Sequence, residues 1–566
     1  MQKLELTWIG KDDARQPLEP RILIENPKYS YGVVEEATLP SGKPWHGNML
    51  IHGDNLLALR SLATMYAGEV KCIYIDPPFN TGNAFEHYDD MQEHSIWLNL
   101  MRTRFELLHT LLSDSGILMV HLDDTEMAYC KVLLDEVFGR KNYLNTISLT
   151  TNEPSGFKAT ASTLFSTANY ILLYAKNRQA GTLNKVFIEK AYDKAYSKVI
   201  LNIDEPYNDW KFSNISDILK QSMSEVAWNS LSKDEKDEAI RRYAITNARK
   251  VFRTAAIGGG AKIKRQATIE CSKIERNKVF VHPNEDVDGF YIMNGEQILI
   301  YANRLTEIEG QLVPGQLLTD IWTDIQWTGI ANEGNVVFKN GKKPEKLIKR
   351  CLEMTTREGD IVLDSFLGSG TTAAVAHKMN RRYIGIEIGN QAYEHDFPRL
   401  KNIVANNDST GISRVVGWQG GGGFKFYELA PSLLRRDEFG QLVINPEYNA
   451  DQLAAAMAMQ EGYVYAPSSD TYWKQGRGAE RDYIFTTTQF ITAEAVDRIA
   501  GTMAEGESLL ICCTACQKEA RNRHAGITVK KIPQMLLKRC EFDRDNYNLN
   551  IVCPPQVDET DEDFND

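Results

Sequence analysis

The chain has 566 residues, 43% apolar and 25% charged, enough for a large core and for roughly three or four domains of about 150 residues each. Its formal net charge of −12 excludes a protein that is basic overall, although a local basic groove is compatible with it because the relevant field is local. Six acids in the final nine residues, "DETDEDFND", exaggerate the acidity of the folded part, and a solvated, disordered acidic tail is expected over 554–566.

No charged-then-apolar signal segment opens the chain, and no apolar run reaches the roughly 20 residues that span a bilayer. A soluble cytoplasmic protein with no membrane partner is therefore expected. The cysteines form no regular framework. Cys512, Cys513 and Cys516 lie in or beside the strand-like run "SLLICCT", which reads as buried reduced thiols, so no metal site is expected.

Residues 1–50 mix turns with short apolar pieces and read as an N-terminal arm. From residue 51 a strand and helix rhythm begins. "NMLIHGDN" is a strand ending at Asp54, "LLALRSLATMY" an amphipathic helix and "VKCIYID" a strand of apolar and β-branched residues. "SIWLNLMRTRFELLHTLL" carries apolar residues at helical spacing, "GILMVHL" is another strand, and "TEMAYCKVLLDEVFG" is a helix stopped by Gly139. Strands alternating with helices predict parallel pairing in an α/β sheet, here over 51–177. The rhythm breaks over 178–335, which reads as an inserted domain. It returns over 336–410, where "DIVLDSFLGSGTTAAVAHKMNRRYIGIEI" stands. A glycine run, "GWQGGGGF", then precedes a further α/β-like domain over 425–553.

Two motifs carry chemistry. In "VLDSFLGSGTT" a strand leads through Asp364 into a glycine-bearing turn and a helix start, where backbone can approach a ligand and free N–H groups await an anion. A phosphate-cradling loop would need GxxxxGK[ST], and no Lys follows Gly370; a dinucleotide loop would need a third glycine, absent at Thr372–Ala374. What remains is a nucleoside ligand with a carboxylate end. Glu387, about 20 positions beyond the loop, suits a ribose diol. S-adenosylmethionine has both features.

The second motif is "DPPF", Asp76 to Phe79, at the end of an apolar strand. Prolines cannot extend a central strand, so they fix what stands there. An exocyclic amino group of a base is a poor nucleophile because its lone pair is delocalised. A carboxylate and a rigid backbone carbonyl can accept its two hydrogens, while an aromatic ring stacks on a base taken out of the duplex. A strand-end turn that happens to hold an Asp is the plain alternative.

Together these residues resemble the amino-methyltransferases of nucleic acids: "DPPF" is similar to the catalytic D/N/S-PP-Y/F/W motif, and "FLGSG" to the F-x-G-x-G cofactor motif. The catalytic motif precedes the cofactor motif, which resembles the beta order. The strings "LTWIGK", "HGDNLLALRSL", "IYIDPPFNTGNAF", "VHLDDTEMAYCKVLLDEVFG", "NYILLYAKN", "KPEKLI" and "LDSFLGSGTTAAVAH" resemble the modification subunit of type III restriction–modification systems. The resemblance implies an α/β, Rossmann-like S-adenosylmethionine-dependent methyltransferase fold of permuted motif order, with an inserted target-recognition domain and a C-terminal domain. It implies that Asp76 and the Pro77 carbonyl, backed by Pro78, hold an adenine amino group and that Phe79 stacks on the base. It also implies that Phe366, Gly368, Gly370 and Thr371 line the cofactor beside Asp364, that Glu387 takes the ribose hydroxyls, that Asp54 meets the cofactor adenine, and that Lys343 opens the helix start facing its methionine part. The implied partners are double-stranded DNA, a second copy in a homodimer, and a helicase–nuclease restriction subunit.

Residues 241–278 hold eleven Lys/Arg against two Glu. Lys262, Lys264 and Arg265 are the expected phosphate contacts, the alternative being a solvated helix face and loop. A solitary or other phage-defence adenine methyltransferase, a cytosine amino-methyltransferase, and a silent nucleic-acid-binding module are the competing readings. Cytosine ring-carbon methylation is set aside, since it uses a cysteine nucleophile, usually after proline, and the chain contains no Pro-Cys dipeptide.

Overall fold

The computed structural model describes the chain except residues 1–4, 13–16, 80–89, 152–163, 165, 339–340, 479–480, 538, 546 and 548–566. The expected acidic tail lies outside the described residues. Eleven described strands form one sheet. They are β1 (Leu23–Glu25), β2 (Tyr31–Gly32), β3 (Asn48–His52), β4 (Val70–Ile75), β5 (Leu112–Leu122) and β6 (Tyr143–Thr150). The other five are β7 (Ala168–Ala175), β8 (Ile321–Trp322), β9 (Ile361–Asp364), β10 (Arg382–Glu387) and β11 (Gly423–Leu429).

The order across the sheet is β1-β11-β3-β10-β9-β4-β5-β7-β6-β8, with β2 also on β11. From β11 to β5 every pair is parallel. Parallel strands covered on both faces must be apolar throughout, and Ile73, Ile75, Leu118, Val120, Leu363 and Ile386 are all buried. The strand β7 is antiparallel to both β5 and β6.

The covering helices follow from the same pattern: α1 (Asn55–Tyr66), α2 (Asp90–Leu111), α3 (Met127–Leu134), α4 (Glu345–Thr355), α5 (Thr371–Lys378) and α6 (Phe397–Val404). Asp54 caps α1, its Oδ1 accepting from the Leu56 and Leu57 amides at 2.8 and 3.4 Å, which satisfies N–H groups left free at a helix start.

Two boundaries differ from those read in the sequence. The insertion expected over 178–335 is a compact unit of Lys185–Thr319, because Ile321–Trp322 already pairs with β6 in the main sheet. The second α/β half, expected to end at 410, continues to β11, which lies parallel to β3. Positive φ at Gly417, Gly420, Gly421 and Gly422 lets the chain turn tightly before that strand begins.

The unit Lys185–Thr319 holds a five-stranded antiparallel sheet and a three-stranded one, with a core built on Tyr196, Val199, Ile215, Val251 and Tyr301. Its helix Lys233–Thr246 starts with a reciprocal Ser232/Glu235 capping box. In the larger unit, residues after β11 add a five-stranded sheet containing the parallel strands Asp482–Ile491, Ser508–Cys516 and Ile527–Lys531. Cys512, Cys513 and Cys516 are buried thiols on its strand Ser508–Cys516.

A buried ionic hub ties α4, α5 and α6 together. Glu345 accepts from Lys378 Nζ at 2.8 Å, from an Arg399 guanidinium nitrogen at 2.8 Å and from the Ile412 amide at 3.0 Å. Lys378 also pairs with Asp408 at 2.7 Å, and all four side chains are fully buried. The hub needs Gly411, where a Cβ would stand 2.1 Å from a Glu345 carboxylate oxygen. Removing one partner of a buried ion set strands the others without water. Glu345→Ala is therefore expected to cost about 3–5 kcal/mol. It should lower the urea midpoint followed by circular dichroism, whereas Lys346→Ala, on the exposed side of the same helix, should leave that midpoint within error.

Candidate functional site

Residues hundreds of positions apart meet at the sheet centre. The strands β9 and β4 are parallel neighbours with Leu363 opposite Ile73, so Asp364 and Asp76 stand at the same carboxyl edge. From β9 the chain crosses through α5 to β10 on one side; from β4 it crosses through α2 to β5 on the other. The connections diverge there, and open α/β sheets hold ligands in such a crevice.

The glycine turn after β9 is organised by acids. Asp364 accepts from the Phe366 amide at 2.9 Å and the Thr372 hydroxyl at 2.6 Å. Burial pushes its carboxyl up to about 7, with Asp76 and Glu387 adding to the rise and the two hydrogen bonds opposing it. Glu387, at the end of β10, accepts from the Gly368 and Gly389 amides, both at 2.8 Å, and burial raises it too. Gly370 starts α5 at φ +73°, and a Cβ there would lie 2.8 Å from Asp396 Oδ1. Both conditions exclude a side chain. At Gly368, φ +60°, a Cβ would meet nothing nearer than the Phe366 carbonyl oxygen, at 3.9 Å. Phe366 is half-buried against the core edge, while Thr371 is spent internally, bound to Arg399 at 2.9 Å.

The "DPPF" turn is held from beneath. Trp97, fully buried on α2, donates its indole N–H to the Pro78 carbonyl at 2.8 Å. Among the described residues nothing donates to the Pro77 carbonyl. Lys343 donates to Asp76 Oδ2, and its Nζ lies 5.3 Å from the Phe79 ring centre. Asp76 Oδ1 is buried with no partner. Burial raises the Asp76 carboxyl, and the Lys343 ammonium pulls it back. His121 lies 6.0 Å from Phe79, bonded to the Tyr74 hydroxyl at 2.7 Å and to Asn169 at 3.1 Å. Burial holds that imidazole neutral, with its pKa well below the usual value.

The structure thus brings Asp76, Pro77, Phe79, Lys343, Asp364, Gly368, Gly370 and Glu387 to one carboxyl edge of the sheet. Pro78 is exposed in the same turn. Asp54 is engaged otherwise: besides capping α1, it accepts from the Tyr547 amide at 2.7 Å and pairs with Arg104 at 3.7 Å. Sequence reasoning missed Trp97, Asp396 and Arg399, and also Asn55, whose side chain donates to the Ser365 carbonyl at 2.7 Å. Asp396 is fully buried, which drives its carboxyl well above the usual range, and among the described residues neither of its carboxylate oxygens is bonded. No local pattern marks any of these four.

The basic run of the other unit is largely neutralised from within. Arg265 is buried, its guanidinium forked onto Glu285 and stacked 3.9 Å from the Phe290 ring centre. Lys264 pairs with Asp286. Arg241, Lys273 and Lys278 each pair with a glutamate three residues away on the same stretch. Composition counted these charges but not their partners. Lys262 is exposed.

A family model described as DNA methylase matches residues 70–396. The probable type III restriction-modification enzyme HindVI Mod subunit of Haemophilus influenzae is 36% identical over 412 residues, covering 68% of this chain and 54% of the relative. The StyLTI Mod subunit of Salmonella typhimurium is 26% identical, the match covering 66% of this chain and 56% of the relative.

 

That second alignment runs over 417 residues. The EcoP15I Mod subunit of Escherichia coli is 22% identical over 527 residues, 81% of this chain and 78% of the relative. The chain spans about half the length of the first two of these relatives. With the matched segment running from β4 to the end of the Glu387 region and taking in both motifs, the chain belongs to the DNA methylase family of N6/N4 (amino) methyltransferases.

Proposed function

We propose that the chain is a site-specific DNA methyltransferase that moves a methyl group from S-adenosylmethionine to the exocyclic amino group of adenine, working as the modification subunit of a type III restriction–modification system. The observation that carries the reading is the meeting of Asp76 and Asp364 at adjacent strand ends, with the glycine turn beside them.

The residues fit the cofactor. Asp76, Asp364, Glu387 and Asp396 make one end of the crevice acidic, which favours a ligand carrying a sulfonium and an ammonium. At Gly368 the missing side chain lets a ligand come close to the backbone of the turn. Glu387 would take the ribose hydroxyls. When bound, S-adenosylmethionine supplies an electrophilic methyl group.

The chain does the rest. Asp76 and the Pro77 carbonyl accept the two amino hydrogens and turn the nitrogen lone pair toward the methyl group. The Pro78 carbonyl, occupied by Trp97, keeps the turn rigid. Phe79 stacks on the base. Adenine as the target rests on the Asp of "DPPF". The relatives' names support a restriction subunit as partner, and a homodimer belongs to the same proposal. We assign DNA reading to Lys185–Thr319 because that separate compact unit interrupts the sequence between the two motifs.

Single-molecule sequencing of DNA from cells expressing the chain is expected to show N6-methyladenine within one recurring sequence; N4-methylcytosine or unmodified DNA would overturn the adenine reading. Asp76→Ala is expected to lower methyl transfer by about 10²–10³-fold, with cofactor affinity by calorimetry retained. For DNA binding, Lys262→Ala is expected to flatten the salt dependence by about 0.9 in log–log slope, the loss of one phosphate contact. Arg265→Ala is expected to leave that slope unchanged and to lower the melting temperature instead, since it strands Glu285.

A further inference from the structure

The backbone of Lys343 is held from both sides. On one side, Lys342 Nζ donates to the Ala331 and Val336 carbonyls at 3.0 and 2.8 Å. On the other, Pro344 leads into Glu345 and the buried hub. The Lys343 carbonyl itself accepts from the Thr371 hydroxyl at 3.3 Å. From this clamped position the side chain reaches Asp76, the Gly341 carbonyl at 3.3 Å and the face of Phe79.

Those contacts are the ones a target base needs. An exocyclic amino group would donate to the Asp76 carboxylate while its ring lay against Phe79. Lys343 donates to the same carboxylate and stands over the same ring. We propose that Lys343 is the resting occupant of the target-base position, a positioning residue that keeps Asp76 an acceptor until the amino group displaces the ammonium. This rests on the methyltransferase reading above.

The electrostatics require such an occupant. The charged or titratable groups around Asp76 are Lys343 from the segment before α4, Asp123 from the end of β5, Asp364 from the end of β9, and Tyr74 on its own strand. Lys343 alone is positive. The nearby His121 is held neutral, and the Lys343 charge contributes to that. Without Lys343, burial and the neighbouring Asp123 carboxylate both push the Asp76 carboxyl upward. A protonated Asp76 would then present a hydroxyl where the amino group needs an acceptor.

The sign of the pH effect follows. Transfer needs ionised Asp76, so its acid limb tracks the Asp76 carboxyl, and kcat/KM reports the free enzyme. Lys343→Met should move that limb to higher pH by about one unit or more, a loss of about tenfold on the acid side that recovers at alkaline pH. Lys343→Arg, which keeps the charge, should retain the wild-type limb. A limb that stays in place in Lys343→Met would overturn the proposal. So would a loss equal at every pH and matched by a fall in cofactor affinity, which would make Lys343 a cofactor ligand only.

A second measurement uses neither DNA nor cofactor. Melting temperatures of Asp76→Asn, Lys343→Met and the double variant should be non-additive, the double variant losing less than the two single losses together. Additive losses would overturn the contact. A wild-type chain that transfers no methyl group to any DNA would overturn the methyltransferase reading, while the melting cycle would still report the pair.

Discussion

Glu345 is a carboxylate with no water around it, and its need for partners organises the site. It is satisfied only if Lys378 from the end of α5 and Arg399 from α6 both reach it. Arg399 has further donors, and it uses one nitrogen on the Ser369 carbonyl at 2.8 Å and the Thr371 hydroxyl at 2.9 Å. The glycine turn is thereby fixed to the same point as the start of α4. Two residues before Glu345, Lys343 is set at the distance from which it meets Asp76. One buried charge thus links the turn after β9 to the turn after β4. The arrangement is costly to break because a half-satisfied buried ionic set is worse than none.

The same logic explains why motif order along the chain has so little effect on the architecture. Parallel strands need only neighbours in register, and β9 and β4 pair through Val362–Cys72 and Leu363–Ile73 across almost 300 residues. The linking segments run elsewhere, through the unit Lys185–Thr319 among others. Further contacts close the junction locally. Asn55 at the start of α1 binds the Ser365 carbonyl, and Arg104 on α2 holds the Asn55 side chain at 2.6 Å. Asn55 thus takes its buried partner from the other half, and Arg104 fixes Asn55 from within its own.

What was legible in the sequence was whatever depends on local pattern. Continuous apolar runs marked β3, β4, β5 and β9, and the α/β class followed from their alternation with helical spacing. The motifs "DPPF" and "FLGSG" announced themselves because Pro and Gly change backbone rules at their own positions. What was not legible depends on long-range partners. Nothing around Trp97 says that its N–H meets the Pro78 carbonyl, and nothing around Asp396 says that it will be buried behind Gly370. Arg265 shows the reverse error: a cationic residue in a basic run looks available until Glu285, twenty positions later, takes it. The glycine run was read as a domain boundary, yet its positive φ values turn the chain into one more strand of the same sheet.

The acidity of the crevice has an energetic meaning beyond recognition. Asp364, raised to about 7, is neutral in much of the range where an unfolded carboxyl is already ionised. The folded state therefore holds that proton more tightly than the unfolded chain does. Stability from this group is full below the unfolded value and is lost as pH rises toward about 7. Glu387 and Asp396 are raised in the same direction. Above neutrality ionisation would set these carboxylates facing one another as like charges, and that repulsion is part of what raises Asp364 and Asp396. A cation entering the crevice is attracted by more than one carboxylate and relieves a penalty that the fold already carries. Lys343 performs that service for Asp76 through a direct hydrogen bond, whereas Arg399 offsets the Asp396 charge only at a distance, and the Asp396 carboxylate oxygens have no hydrogen-bond partner among the described residues. The asymmetry distinguishes two carboxylates of one acidic crevice: Asp76 is neutralised by an ammonium bonded to it, and Asp396 is opposed only by a guanidinium that does not bond it among the described residues.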